Sequence, residues 1–135
     1  MDLQVGVKVI LQNRDGAVLL LKRSEQLYKE VNNPWDIPGG RINVGMSLME
    51  NLEREVKEET GLSLLSVPVL RGAQDILKTD KHVVRLTYTA LAEGDVRLSE
   101  EHTEYRWLPF AELATFPKLD RYVRELAEEG RLGLG

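Results

Sequence analysis

From Trp35 to Leu62 the chain reads WDIPGGRINVGMSLMENLEREVKEETGL, and this stretch constrains the fold more than any other. Ser47 and Glu50 have the spacing of a capping box, in which the hydroxyl accepts from the backbone N–H three residues on and the carboxylate reaches back to the cap N–H. Gly61 stands where a left-handed C-terminal cap is needed. The helix so bounded spans roughly Leu48 to Thr60. At about 100° per residue, Leu48, Leu52 and Val56 make one apolar stripe. Glu55 and Glu59 project into that same stripe and Glu58 lies on its flank, whereas Glu53 and Lys57 face away. Carboxylates three and four residues apart repel one another, and desolvating them against an apolar face costs more unless a cation compensates. A merely solvated acidic helix would not keep its glutamates in phase with its leucines.

These donors are oxygen only. The chain has no Cys and no His near the helix, so the set suits Mg²⁺ or Mn²⁺ better than Zn²⁺. Pro38, Gly39 and Gly40 precede the helix as a tight turn, in which glycine lets a backbone carbonyl or a substrate phosphate approach closely.

From Gly40 to Leu62 the residues resemble the box of the Nudix hydrolases, which runs Gly, five residues, Glu, seven residues, then Arg-Glu-aliphatic-X-Glu-Glu-X-Gly-aliphatic. Gly40, Arg54, Glu55, Val56, Glu58, Glu59, Gly61 and Leu62 stand at that spacing, and Met46 takes the place of the first Glu. The resemblance extends over roughly residues 5–126. It implies an α/β (α+β) fold, a Nudix-type mixed β-sheet sandwiched between helices, and a single domain over 1–135.

The resemblance also implies a site. Glu55, Glu58 and Glu59 with the Gly39 carbonyl would hold the catalytic Mg²⁺ or Mn²⁺, and Arg54 would pair with the carboxylates to orient them. Bound cations would bridge a diphosphate and lower the pKa of an attacking water. Members often use a further Glu before the last strand as general base or extra ligand. Glu101 and Glu104 are the candidates, and Glu101 is favoured by its distance from Trp107. The catalytic set is therefore Glu58, Glu59, Arg54 and Glu101, with Arg23, Arg41, Gly40 and Trp35 as substrate contacts. Arg23, at a strand end beside Lys22, is either a solvated charge or a cation facing phosphates, and Trp35 is core before it is a base-stacking platform. His82 and His102 have no partner at metal-ligand spacing and are expected at the surface.

The expected reaction is hydrolysis of a diphosphate linkage in a nucleoside diphosphate derivative, a nucleoside triphosphate, nucleotide sugar or similar, by water attack on phosphorus. The alternative is a degenerate domain of the same family that binds a nucleotide as sensor or partner without turnover; retention of all three metal glutamates weighs for the enzyme. An isomerase acting on isopentenyl diphosphate would need a cysteine that this chain lacks.

Composition narrows the setting. A chain of 135 residues, 42% apolar and 30% charged, is long enough for one core, and no apolar run approaches the roughly 20 residues that span a bilayer. No membrane partner is expected. The N-terminus lacks a signal peptide's basic flank and cleavage site, and there is no cysteine for disulfides, so a cytoplasmic location is expected. Net charge of −4 without a Lys/Arg tract weighs against a nucleic acid polymer as partner. A homodimer is left open.

Along the chain, alternation predicts strands over 5–11 and 17–22, joined as a hairpin at Asn13–Gly16, then a loop over 24–34. After the helix, 64–70 reads as a strand interrupted by Pro68, 75–81 as a loop, 84–90 and 105–108 as strands, and Leu119, Tyr122, Val123 and Leu126 as one face of a closing helix.

Met46, the break in the box, lies at the entrance of the metal helix, where an added carboxylate would strengthen attraction for a divalent ion. Met46→Glu is expected to keep the fold and lower the metal concentration for half-maximal rate. A metal titration of both proteins checks this, and an unchanged or raised value would remove the position from ion binding.

Overall fold

The computed structural model of the protein describes residues 1–29 and 31–133. In chain order its elements are β1 (Asp2–Gln12), β2 (Ala17–Arg23), β3 (Trp35–Asp36), β4 (Gly39–Arg41), α1 (Leu48–Thr60), β5 (Ser63–Leu64), β6 (Val69–Leu77), β7 (Lys81–Glu93), β8 (His102–Pro109), a 3₁₀ segment (Phe110–Thr115) and α2 (Arg121–Glu128).

The strands make one mixed sheet. β1 and β7 run parallel along their length, from Asp2 beside Lys81 to Gln12 beside Leu91, and every other strand pairing is antiparallel. Val7, Val9 and Leu11 of β1 face a core shared with Leu19, Leu21, Leu52 and Val56, beneath α1. Ile10 points the other way, into a second core with Val18, Leu20, Leu113, Val123 and Leu126, beneath α2 and the 3₁₀ segment. Period-two alternation thus fills both faces of β1, and the sheet is sandwiched between helices because neither face is left to water.

Both helices are capped. Ser47 Oγ accepts from the Glu50 N–H at 3.1 Å and Glu50 Oε1 from the Ser47 N–H at 3.3 Å, while Gly61, at φ 72°, donates to the Lys57 carbonyl. Asp120 Oδ2 accepts from the Tyr122 and Val123 N–H groups, each at 3.1 Å, to start α2.

Three local expectations change. β1 and β2 meet only at Gln12 and Val18, because β4 pairs with the earlier part of that edge of β1 and β2 runs along β8 instead. Asp75, Ile76 and Leu77 are strand: β6 continues to Leu77 opposite His82, leaving Lys78–Asp80 as the turn. Pairing with the long β7 overrides the weak strand propensity of a polar stretch. Finally, Leu48 is 36% exposed, and the buried stripe of α1 is Asn51, Leu52, Val56, Glu59 and Thr60. Asn51 can be buried because its amide bonds the Met46 and Ser47 carbonyls and its Oδ1 accepts from the Asn43 N–H. No described helix is long and apolar enough to cross a membrane.

β4 pairs with β1 so closely at Gly39 that a side chain is excluded there. Gly39 has φ 140°, and a Cβ there would collide with the Val7 carbonyl oxygen and the Lys8 backbone. Gly39→Ala should therefore cost about 3 kcal/mol or more through strain and overpacking. Gly45→Ala, at φ 89° with open space around it, should cost only about 1 kcal/mol for the left-handed backbone. Urea unfolding midpoints of the two variants check the difference, and equal losses would show that the crossing tolerates a methyl group.

Candidate active site

Between α1, the β4 turn, the middle of β1 and the first residues of β7 and β8 lies a cavity of about 390 Å³. Glu55 and Glu59 of α1 line it, with Gly39, Gly40 and Arg41 on one side and Glu101, just before β8, on another. Arg54 Nη1 donates to Glu55 Oε1 at 2.9 Å, stands 3.5 Å from Glu58 Oε2, and anchors its Nη2 on Asn51 Oδ1 at 2.9 Å. Its guanidinium therefore orients the helix carboxylates from the flank.

Glu59 is 3% exposed, and one oxygen accepts from the Gly39 N–H at 3.1 Å. Burial pushes its carboxyl up to about 8, with the Glu55 and Glu101 charges adding to the effect and Lys8 and the Gly39 N–H opposing it. Lys8 and the Gly39 N–H thus compensate only part of the cost of burying this carboxylate. Gly40 leaves space for Glu55, whose Oε1 would stand 2.9 Å from a Cβ at that position. Two clustered carboxylates, one of them buried and only partly compensated, beside a side-chain-free turn fit a hard divalent cation. Among the described residues, no three acidic or imidazole side chains already form a chelating group.

The expected residues separate on this geometry. Glu55, Glu59, Glu101, Arg54, Arg41, Gly39, Gly40 and Arg23 all line the cavity. Glu58, expected with the helix pair, stands outside the lining with its side chain 60% exposed, because it sits one residue off the buried phase. Glu104 is drawn away to Lys22 at 3.2 Å. Trp35 belongs to the core beneath α2, edge-on to Phe116 at 5.5 Å, and borders a different hollow beside Lys22, Lys29 and Lys118. It is not a stacking platform in this cavity. Met46 also lies outside the lining, its sulfur accepting from the Asn43 amide at 3.6 Å. His102, expected at the surface, is 8% exposed and faces the cavity, whereas His82 bonds Asp75 at 2.7 Å on the β6–β7 hairpin.

Residues missed from the sequence complete the floor. Asp36, fully enclosed, takes Lys8 Nζ at 3.0 Å and Arg23 Nη2 at 2.8 Å on one oxygen and the Ile37 N–H at 2.7 Å on the other. Burial alone would raise the Asp36 carboxyl, but Lys8, Arg85 and Arg23 together hold it far below the usual carboxylate range. Arg85 bonds Asp120 at 2.7 Å and stacks on Tyr122, and Arg23 stacks on Tyr28. A lysine in the middle of VGVKVIL was the available signal: a strand buried on both faces admits a charge only with a partner.

The sequence matches the family described as "NUDIX domain" over residues 2–129. It is 32% identical over 116 residues to the asymmetrical bis(5'-nucleosyl)-tetraphosphatase of Rattus norvegicus, covering 79% of this chain and 76% of that protein. It is 28% identical over 110 residues to the nucleoside triphosphatase NudI of Escherichia coli, covering 73% and 77%. The crystal structure of the MutT protein from Methanosarcina mazei Go1 superposes with a TM-score of 0.82 at 34% identity, over 95% of this chain and 92% of that one.

The floor network has a stability consequence with a definite sign. Because the Asp36 carboxyl is held low, its contribution is complete above the unfolded value of about 3.9 and is lost as pH falls through the native value. Asp36→Asn, which leaves two cations unpaired, should cost about 3–5 kcal/mol at neutral pH. The gap between wild type and variant should narrow below about pH 4. Denaturant melts across that range check this, and a gap independent of pH would remove the ion pairs from the stability of the fold.

Proposed function

The chain belongs to the Nudix family of pyrophosphohydrolases, which act on nucleotide diphosphate derivatives, and from that membership we propose that it cleaves a diphosphate linkage by water attack on phosphorus with a bound divalent cation, Mg²⁺ or Mn²⁺. The substrate class is a nucleoside triphosphate, a nucleotide sugar or a similar derivative. The observation that carries the reading is one cavity lined both by Glu55 and Glu59 and by the cations Lys8, Arg23 and Arg41. Carboxylates alone would repel a diphosphate and cations alone would not hold a metal, so one cavity with both suits a metal and an anion together.

Glu55 and Glu59 would hold the cation, with the Gly39 carbonyl and Glu58 completing the set that the family resemblance implies. When bound, the cation neutralises charge building on the phosphate oxygens and lowers the pKa of water. Arg54 keeps Glu55 and Glu58 in orientation, so the donors need no rearrangement as charge develops. Arg23 and Arg41 draw in and position the polyphosphate. Glu101, rather than Glu104, has access to the cavity to accept a proton from the attacking water.

Glu59→Gln is expected to lower turnover at least about a hundredfold, and EDTA to abolish it, in a phosphate-release screen with Mg²⁺ and Mn²⁺ across nucleoside triphosphates, nucleotide sugars, ADP-ribose and dinucleoside polyphosphates. Full activity in EDTA would sink the metal requirement, and nucleotide binding without turnover of any compound would favour a sensor. In the same screen Glu101→Gln should reduce turnover more than Glu104→Gln, with neither shifting the melting temperature appreciably. Equal, small effects would place the base elsewhere.

A further inference from the structure

β1 carries a glycine that neither its backbone nor its packing requires. Gly6 stands between Val5 and Val7 in the strand, where a glycine weakens pairing and leaves nothing to pack. Its φ lies outside the positive range that favours glycine. The other strand glycines are each hemmed in: a Cβ on Gly39 would meet the β1 backbone, one on Gly40 would stand 2.9 Å from Glu55 Oε1, and one on Gly72 would stand 2.7 Å from Leu126 Cδ2. A Cβ on Gly6 would meet, among the described residues, only the Gly40 carbonyl oxygen at 3.7 Å, an ordinary contact. The space that Gly6 leaves is therefore part of the cavity it lines.

The strand register defines what borders that space. Gly6 pairs with Arg41 of β4 on one side and with Arg85 of β7 on the other, and both arginines line the cavity. Residues paired directly across a sheet share a face. With strands about 4.8 Å apart, the two arginine backbones stand roughly 10 Å from each other with no side chain between them. Arg85 is fixed in place, its Nη1 bonded to Asp120 Oδ2 at 2.7 Å and its guanidinium stacked on Tyr122. Val83 continues the same face of β7, paired with Ile76 of β6, and both of these also line the cavity.

Such surroundings suit a flat ring better than a phosphate. β1 is paired on both sides at Gly6, so its backbone N–H groups belong to the ladders and none is left to cradle an anion. The charge of Arg85 is already met by Asp120. What the bare strand offers is a strip of backbone bordered by Ile76, Val83 and a guanidinium. A planar heterocycle can lie on such a strip, since guanidinium and aliphatic groups both pack against aromatic rings.

We propose that Gly6 is a specificity-determining residue: its missing side chain keeps the strip between Arg41 and Arg85 open for the nucleobase of the substrate, and a side chain there would exclude the base. The proposal rests on the reading of the cavity as a nucleotide site. Gly6 therefore acts on whether a nucleoside is admitted, leaving the metal and the phosphates to the carboxylates and to Lys8, Arg23 and Arg41.

The test uses two variants of the whole chain, Gly6→Ala and Gly6→Val, which place one methyl group and a branched side chain in that space. With Mg²⁺ present, binding of ATP, GTP, CTP and UTP, and of inorganic tripolyphosphate as a probe without a nucleoside, is measured by calorimetry for wild type and both variants. Turnover of the nucleotides and melting temperatures are recorded alongside. Gly6→Val is expected to weaken nucleotide binding at least about tenfold and Gly6→Ala less, with tripolyphosphate held within about twofold. Melting temperatures are expected not to fall, because a residue with a side chain suits a strand that has room for it. Equal losses for tripolyphosphate and nucleotides, no loss for either, or lowered melting in both variants would overturn the proposal, since the glycine would then serve the phosphates, nothing, or the fold. Should Gly6→Val alone melt lower, the same comparison in Gly6→Ala decides. If wild type binds nucleotides but hydrolyses none, the hydrolase reading fails alone: selective loss of nucleotide binding in the variants still supports the open strip, and indifferent binding overturns it. Absence of nucleotide binding to wild type overturns both.

Discussion

A fully buried carboxylate held between two cations sets the geometry on which the rest of the molecule depends. Asp36 is the second residue of a two-residue strand, β3, and binds Lys8 from β1 and Arg23 from the end of β2. Isolated, any of the three charges would carry a large desolvation penalty in that position. Together they tie three strands at one point, and because two cations meet one carboxylate the cluster keeps an excess positive charge. That excess faces the cavity, where Lys8 also acts on Glu59. The floor therefore partly offsets the negative wall of α1.

The opposite wall depends on close backbone approach. Gly39 donates to Glu59 and Gly40 makes room for Glu55, so the turn that β4 makes against β1 also positions the two helix carboxylates. Asn51 and Arg54 add a second layer: Asn51 ties the start of α1 to the loop at Asn43, and its oxygen receives Arg54, which in turn holds Glu55. The acidic site is thus reached through hydrogen bonds from both the turn and the helix flank. Orienting groups of this kind keep charged donors aimed before a substrate arrives.

Anion attraction and cation holding usually conflict, and here side chains of both signs line one cavity. Arg23 and Lys8 sit on the floor, Arg41 follows the glycine turn, and the glutamates line the helix side. A polyphosphate entering such a cavity would meet both positive charge and carboxylates able to hold a counter-ion. Net charge of −4 over the chain hides this arrangement, because local fields in a cleft depend on the few charges that line it.

Much of α1 was legible in the sequence. Its limits follow from Ser47, Glu50 and Gly61 through local hydrogen bonds, and the inward phase of Glu55 and Glu59 from the helical period alone. Alternation likewise placed β1 and the later part of β7. What spacing could not supply were contacts between residues distant along the chain. Alternation cannot say that a strand is covered on both faces, so it does not bury Lys8, and nothing local gives Asp36 a partner that lies 28 residues away. Burial of His102 depended on a one-residue bulge against β2, which no pattern within β8 announces. Glu58 matched the box yet stands apart from the helix pair, since spacing fixes an angle on the helix and the neighbouring turn decides which angle is enclosed. Local periodicity and capping chemistry thus determined the helix and the candidate carboxylates; pairing of strands across the sheet alone decided the buried charges and the cavity around them.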